Sequence, residues 1–227
     1  MQKEAIRKAA TGDTDAPAVW APGRIAEQVR RLEGYRQVKA IFVSPAPRLQ
    51  QVRINALTDG KQLLMPSASL HDGFWGMAPY SVPFAGLAHA VSMKGMAASG
   101  QPLDLASLAA QRVGMLVTDA LAADGAGVMV GDGKGFFDLA VALLQQGGAL
   151  EQGFSVVTVT EKFFAGEYLE DHQPWDIRAD VVIHPAGIEM LRPQRPTPAI
   201  CWDALPFTRI RRITPLWQLH QHRADGK

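Results

Sequence analysis

Gly-Val-Met-Val-Gly-Asp-Gly-Lys-Gly-Phe-Phe-Asp-Leu, residues 127–139, sets three glycines at alternate positions, Gly131, Gly133 and Gly135, directly before an apolar run. Glycine has no Cβ and reaches backbone conformations closed to other residues, so successive N–H groups of such a loop can converge on one point. At the N-terminus of a helix that point attracts phosphate, because the first-turn N–H groups and the helix dipole both favour negative charge. Lys134 adds a mobile cation within the loop. Asp138, on the first turn of the predicted helix, offers the hard carboxylate oxygen that a divalent cation prefers. Glycines also build tight strand-to-helix turns that bind nothing, and the segment alone leaves both readings open.

Outward from the loop, helical and extended patterns alternate. Residues 136–146 carry Phe137, Leu139, Ala140, Leu143 and Leu144 at helical spacing and stop at Gly147-Gly148. Residues 112–118 read as a central strand leading toward the loop, 39–44 as a buried strand closed by Pro45-Ala-Pro47, 50–58 as a helix, and 62–65 as a strand after the Asp59-Gly60 turn. Residues 2–10 and 25–32 read as helices joined by a loop at 11–22; Leu105, Leu108 and Ala109 have helical spacing; 154–160 and 179–183 read as strands. Strands alternating with helices predict an α/β fold of three layers, αβα: a mostly parallel, Rossmann-like open sheet with helices on both faces. Ligands of such sheets collect beyond the carboxyl ends of the strands, where the glycine loop and the turns at 44–47 and 65–67 fall. Residues 66–102 mix prolines and glycines with Phe74, Trp75, Tyr80 and Phe84, which either line a pocket for a flat ligand or pack an irregular loop onto the core.

With 227 residues, 47% of them apolar and 20% charged, the chain can bury one sizeable core, and a single domain over 1–227 is expected, with 189–227 as its closing segment. A formal net charge of +1 supplies no field for nucleic acid or membrane, so neither is an expected partner. The single Cys201 excludes an internal disulfide framework and a cysteine-rich metal site. No apolar run reaches the roughly 20 residues of a membrane span, and the charged opening Met-Gln-Lys-Glu-Ala-Ile-Arg-Lys does not suit a signal-peptide core, so the expected compartment is the cytoplasm. His220 and His222 read as a surface pair before a zinc site, His172 as a solvated loop residue, and Arg209, Arg211 and Arg212 as a solvated face before a phosphate contact. Asp176 and Asp180 read as caps of the last strand.

The loop resembles Gly-x-Arg-Leu-Gly-x-Gly-x-Gly-Tyr-Tyr-Asp, the signature of the 5-formyltetrahydrofolate cyclo-ligase family, through Gly127, Gly131, Gly133, Gly135 and Asp138, with Lys134 where some members also carry lysine. Met129 stands at the family's arginine, and Phe136 and Phe137 at its tyrosine pair. Lys3 and Arg7 have the spacing of the family's opening helix, and i, i+4 puts both cations on one helix face. Residues 50–66 resemble the helix, Gly-Lys turn and proline-ended strand of the family's folate side, with Gln51 where catalytic members carry a glutamate. Trp175-Asp176-Ile177-Arg178-Ala179-Asp180 resembles a His-Asp-x-x-Val-Asp motif with Trp175 replacing histidine. The blocks cover most of residues 1–188 and lie nearest to a divergent cyclo-ligase-like branch. Some animal members of that branch append an RNA-recognition domain, which the roughly forty residues after 188 are too few to form.

The resemblance implies ATP and Mg²⁺ as cofactors, a folate-like small-molecule substrate and a monomer or homodimer. Lys3 and Arg7 would bind the nucleotide together with the loop (Gly131, Asp132, Gly133, Lys134 and Gly135) and with Phe136 and Phe137. Lys134 and Asp138 would act in catalysis, Asp138 also holding the metal, and Gln51, Met65 and Trp75 would bind substrate. ATP would phosphorylate the formyl oxygen of 5-formyltetrahydrofolate, and attack by the neighbouring nitrogen would expel phosphate to give 5,10-methenyltetrahydrofolate. Such transfer depends mainly on positioning and charge neutralisation. Met129 lacks arginine's charge and bidentate geometry, the phenylalanines lack two hydroxyls, and Gln51 lacks a negative charge. Two functional readings follow: a cyclo-ligase acting on this folate or a related heterocycle, and a relative that binds a nucleotide or pterin-like ligand without this reaction.

Overall fold

The structure, a computed structural model, describes residues 2–11, 21–166, 169–170, 172–191 and 193–225. The chain begins with α1 (Lys3–Thr11), α2 (Pro22–Arg31), α3 (Glu33–Gln37), β1 (Ala40–Val43), α4 (Gln50–Thr58) and β2 (Gln62–Pro66). It continues through β3 (Phe74–Met77), α5 (Leu87–Ala90), α6 (Met93–Ser99), β4 (Gln101–Leu103) and α7 (Leu105–Leu108). The second half holds β5 (Val113–Ala120), β6 (Ala122–Asp124), β7 (Met129–Val130), α8 (Phe136–Gln146), β8 (Leu150–Thr160), β9 (Phe163–Phe164), β10 (Val181–His184) and β11 (Gly187–Met190). Helices α9 (Phe207–Arg212) and α10 (Thr214–Asp225) follow.

Eight strands form one sheet in the order β11-β10-β8-β5-β1-β2-β3-β4. The inner run from β10 to β2 is parallel, and β11, β3 and β4 add antiparallel edges. The parallel strands are buried on both faces, which is why β1 reads Ala-Ile-Phe-Val with no polar alternation. Successive side chains go to opposite faces. Ile41 and Val43 join Leu63, Met65, Met115 and Val117 in the core beneath α2 and α4. Ala40 and Phe42 join Leu64, Leu116 and Val156 in the core beneath α8, α9 and α10. The predicted three-layer αβα fold is thus present, with a smaller sheet β7-β6-β9 beside it.

Sequence order reverses between β1 and β5: β2 lies on one side of the pair, β8 and β10 on the other. That reversal opens a crevice at the carboxyl ends. Ser44 and Thr118, both buried, meet there, the Ser44 hydroxyl donating to Thr118 Oγ1 at 2.9 Å. Arg53 of α4 ties the adjoining turn through the Ser44 and Ala46 carbonyls at 2.6 and 3.1 Å, and burial pushes its pKa down to about 10.

Several boundaries differ from the sequence reading. The strand expected at 112–118 runs two residues further, to Ala120. Residues 66–102 contain two short strands, and Pro102 is tolerated in β4 because that strand is an edge. Their aromatics divide: Phe74 is buried and packs edge-on against Phe42, while Tyr80 and Phe84 are 75% and 81% exposed. The tail forms two helices whose Ile210, Ile213 and Leu216 enter the α8-side core. The loop expected at 11–22 lies mostly outside the described residues. Among the described residues no helix is long and apolar enough to cross a membrane.

Candidate functional site

Local chemistry shapes the approach to the glycine loop. The fully buried Asp124 carboxylate accepts from the N–H groups of Ala126 and Val128, each at 3.0 Å, and of Leu169 at 2.5 Å. Gly127, at φ +78°, accepts the Ala179 N–H at its carbonyl at 2.8 Å, just before β10; a Cβ there would lie 2.4 Å from the Ala179 oxygen. Gly127→Ala is therefore expected to cost about 1–3 kcal/mol through left-handed strain, with the overlap adding to it. Chemical denaturation measures this, and an unchanged midpoint would mean that the turn relaxes freely.

Within the loop Gly133 and Gly135 also take positive φ, +84° and +63°, and Gly135 caps α8. Asp132 Oδ1 accepts the Lys134 N–H at 2.9 Å, and its Oδ2 lies 3.3 Å from Lys134 Nζ. The Lys134 amide is thus spent inside the loop. Among the described residues no protein group accepts from the Gly133 or Gly135 N–H.

These two glycines line a cleft of about 680 Å³. Helix α1 contributes Lys3 and Arg7 to the same cleft, Arg7 Nε donating to the Gly131 carbonyl at 3.0 Å. Lys3 is only 5% exposed and pairs with Asp176 Oδ2 at 2.5 Å. From the first turn of α8 come Phe136, Phe137 and Asp138, and from β7 comes Met129. Asp138 Oδ1 accepts the Ile177 N–H at 2.9 Å. Burial raises the Asp138 pKa above the usual carboxylate value and Asp176 adds to the rise, against the Ile177 N–H and Lys3.

Thr118, Asp119 and Ala120 bring the carboxyl end of β5 to the cleft. Burial holds the Asp119 carboxyl above its usual range, opposed chiefly by Arg48. A carboxyl raised in the folded state binds a proton that the unfolded chain has released, so its contribution to stability falls as pH rises between the ordinary and raised values. Asp119→Asn is accordingly expected to raise the melting temperature at pH 7. The gain should vanish below the ordinary carboxylate range, where both states are protonated. Thermal melts at pH 7 and pH 3 check this, and a loss of stability at pH 7 would show that Asp119 makes a net favourable ion pair.

The tertiary structure brings Lys3, Arg7, Gly131, Asp132, Gly133, Gly135, Phe136, Phe137 and Asp138 to one cleft. Lys134 faces a smaller neighbouring cavity instead. The three residues expected at substrate do not line the cleft. Gln51 Nε2 donates to Asn55 along α4, Met65 is fully buried in the core, and Trp75 pairs with Met65 across β2 and β3 and packs against that core. Alternation within β2 decides the case of Met65, sending it to the α4 side. Asp180 caps as expected, accepting the Val156 N–H at 2.7 Å and pairing with Arg195 at 2.9 Å. Asp176 instead holds Lys3, across 173 positions of sequence. Asp119, at the carboxyl edge of a central strand, carried a positional signal that the sequence reading passed over. Arg209, read as solvated, donates to the Lys134 carbonyl at 2.6 Å and lies 4.6 Å over the Phe136 ring.

Fold and cleft together define an open α/β protein with a glycine-loop site at the carboxyl edge of its parallel strands. The chain belongs to the 5-formyltetrahydrofolate cyclo-ligase family, whose sequence model matches residues 4–185. It is 27% identical over 212 residues to the methenyltetrahydrofolate synthase domain-containing protein of Bos taurus, covering 90% of this chain and 54% of that protein. With the Homo sapiens protein of the same name it shares 24% over 200 residues, 85% of this chain and 51% of the relative. The chain thus spans about half the length of the curated relatives it matches. Its fold is similar to that of the Aquifex aeolicus 5,10-methenyltetrahydrofolate synthetase, solved by NMR, with a TM-score of 0.52 and 18% identity over 86% of this chain and 96% of the other.

Proposed function

We propose that this chain is an ATP- and Mg²⁺-dependent cyclo-ligase that closes 5-formyltetrahydrofolate, or a related N-formyl heterocycle, to its methenyl product. One observation carries the reading: Lys3 and Arg7 of α1 line the same cleft as Asp138 and the free Gly133 and Gly135 N–H groups. A volume of about 680 Å³ falls within the range of small-molecule sites, about 300–1,000 Å³.

The residues suit both cofactors. Phosphate oxygens would accept from the Gly133 and Gly135 amides at the head of α8, with Arg7 alongside. Asp138 keeps one oxygen on the Ile177 N–H and has the other for a cation. Among the described residues no three His, Cys, Asp or Glu side chains cluster to hold a metal by themselves. That suits Mg²⁺, which binds through one or two carboxylates plus phosphate and water. When bound it neutralises charge on the phosphates.

Bound ATP would supply the phosphoryl group that activates the formyl oxygen, with ADP as the leaving group. The neighbouring nitrogen then attacks the formyl carbon, and phosphate leaves with the former formyl oxygen and the proton of that nitrogen. Arg7 aligns the phosphates, while Lys3, fixed by Asp176, counters the negative charge around Asp138. Phe136, Phe137, Trp175 and Met129 give the cleft apolar surface that suits the face of a flat ring, while Gln51, Met65 and Trp75 lie outside its lining. Residues 1–227 are read as one unit closed by 189–227, acting in the cytoplasm as a monomer or homodimer.

A second reading, ligand binding without turnover, draws on the cleft itself: Met129 brings no charge to it, and the phenylalanines bring no hydroxyl. The deciding experiment gives the purified protein 5-formyltetrahydrofolate, ATP and Mg²⁺ and follows the absorbance of methenyltetrahydrofolate, with ATP binding measured by calorimetry. Turnover supports the cyclo-ligase. ATP binding without turnover supports the second reading, and absence of both overturns the nucleotide assignment.

A further inference from the structure

We propose that Arg209, which lies beyond the stretch matched by the family, is a positioning residue for the glycine loop: it holds the Lys134 carbonyl on the tail side and so turns the Gly135 N–H toward the cleft. The inference rests on the reading of this loop as a nucleotide-phosphate cradle.

Arg209 Nη2 donates to the Lys134 oxygen at 2.6 Å, and its guanidinium lies 4.6 Å over the ring of Phe136, the first residue of α8. One side chain therefore spans the loop and the start of the helix. The segment that carries it is anchored, since the next residue, Ile210, is 5% exposed and Ile213 and Leu216 are buried in the α8-side core. C=O and N–H of one trans peptide unit point in opposite directions. A Lys134 carbonyl held on the Arg209 side thus directs the Gly135 N–H away from the tail. Lys134 and Arg209 line the smaller cavity, of about 200 Å³, and Gly135 stands at the boundary, lining both that cavity and the large cleft.

A hold from outside matters for this loop because glycines at positive φ have many alternatives, and a loop that must be ordered on binding loses affinity. Arginine is suited to the place. Its planar fork donates edge-on to a carbonyl while its face stacks on a ring, a combination open to no lysine.

The test measures amide hydrogen exchange and calorimetric ATP affinity in the wild type, Arg209→Ala and Arg209→Lys. For Arg209→Ala, exchange in residues 131–137 should accelerate about tenfold, with 113–120 and 214–223 unchanged, and ATP affinity should fall about tenfold. Arg209→Lys should lie between the two, regaining the hydrogen bond without the stacking. If Arg209→Ala also loosens residues 214–223, Phe136→Leu decides: it removes the stacking face and leaves the tail anchors, and must accelerate exchange in the loop. Unchanged loop exchange overturns the inference, and so does faster exchange with unaltered ATP affinity. If the wild type itself binds no ATP, the nucleotide reading fails, and loop exchange alone decides whether Arg209 holds the loop.

Discussion

Asp138→Asn is expected to reduce turnover in the methenyltetrahydrofolate assay by about two to three orders of magnitude, or about 2.7–4 kcal/mol of transition-state stabilisation. Asparagine keeps the shape and still accepts the Ile177 N–H through Oδ1, so the entry of α8 should stay in place. What is lost is the only charged oxygen that the first turn of that helix presents to the cleft. Because burial already disfavours the carboxylate, its replacement should not lower the melting temperature, and the defect should appear in kcat and in the Mg²⁺ concentration needed for half-maximal rate. Turnover within tenfold of the wild type, in a folded variant, would remove Asp138 from the chemistry.

The largest effect on stability is expected at Phe42, at the centre of β1. Its ring is 1% exposed and lies 6.3 Å from Phe74 in an edge-on arrangement and 6.2 Å from Phe137. Phe42→Ala should cost about 3–5 kcal/mol, from lost burial and the cavity left in a core that collapses only partly. Set against total stabilities of about 5–15 kcal/mol, that is a large fraction. The damage should also reach the cleft, because Phe137 both packs on Phe42 and lines the site. Denaturant unfolding measures the first effect and ATP calorimetry the second. A loss below about 1.5 kcal/mol would mean that Phe74 and Phe137 close the gap.

The parts of the molecule legible in the sequence are those governed by nearby residues. Helix α8 begins and ends where Gly135 and Gly147-Gly148 place its limits, and α4 ends at the Asp59-Gly60 turn. The glycine loop was legible for the same reason, since positive φ at Gly133 and Gly135 is a property of the residue type. The buried strands β1 and β5 announced themselves by apolar runs, which sheets covered on both faces require. Strands β3 and β4 did not: they are short, interrupted by Gly76 and Pro102, and defined mainly by the neighbours they pair with at the β4 edge of the sheet.

The site divides in the same way. Sequence alone determined the alternation of helices and strands, the loop that precedes α8, and the pairing of Lys3 with Arg7 on one helix face, because backbone preference and periodicity act over a few residues. Only the tertiary structure decided that Lys3 meets Asp176, that Arg209 holds the loop, that Asp119 reaches the cleft and that Met65 turns into the core. Those outcomes depend on strand order and on which face of the sheet each helix covers, both set by packing free energy summed over the whole core and written in no short stretch of the chain.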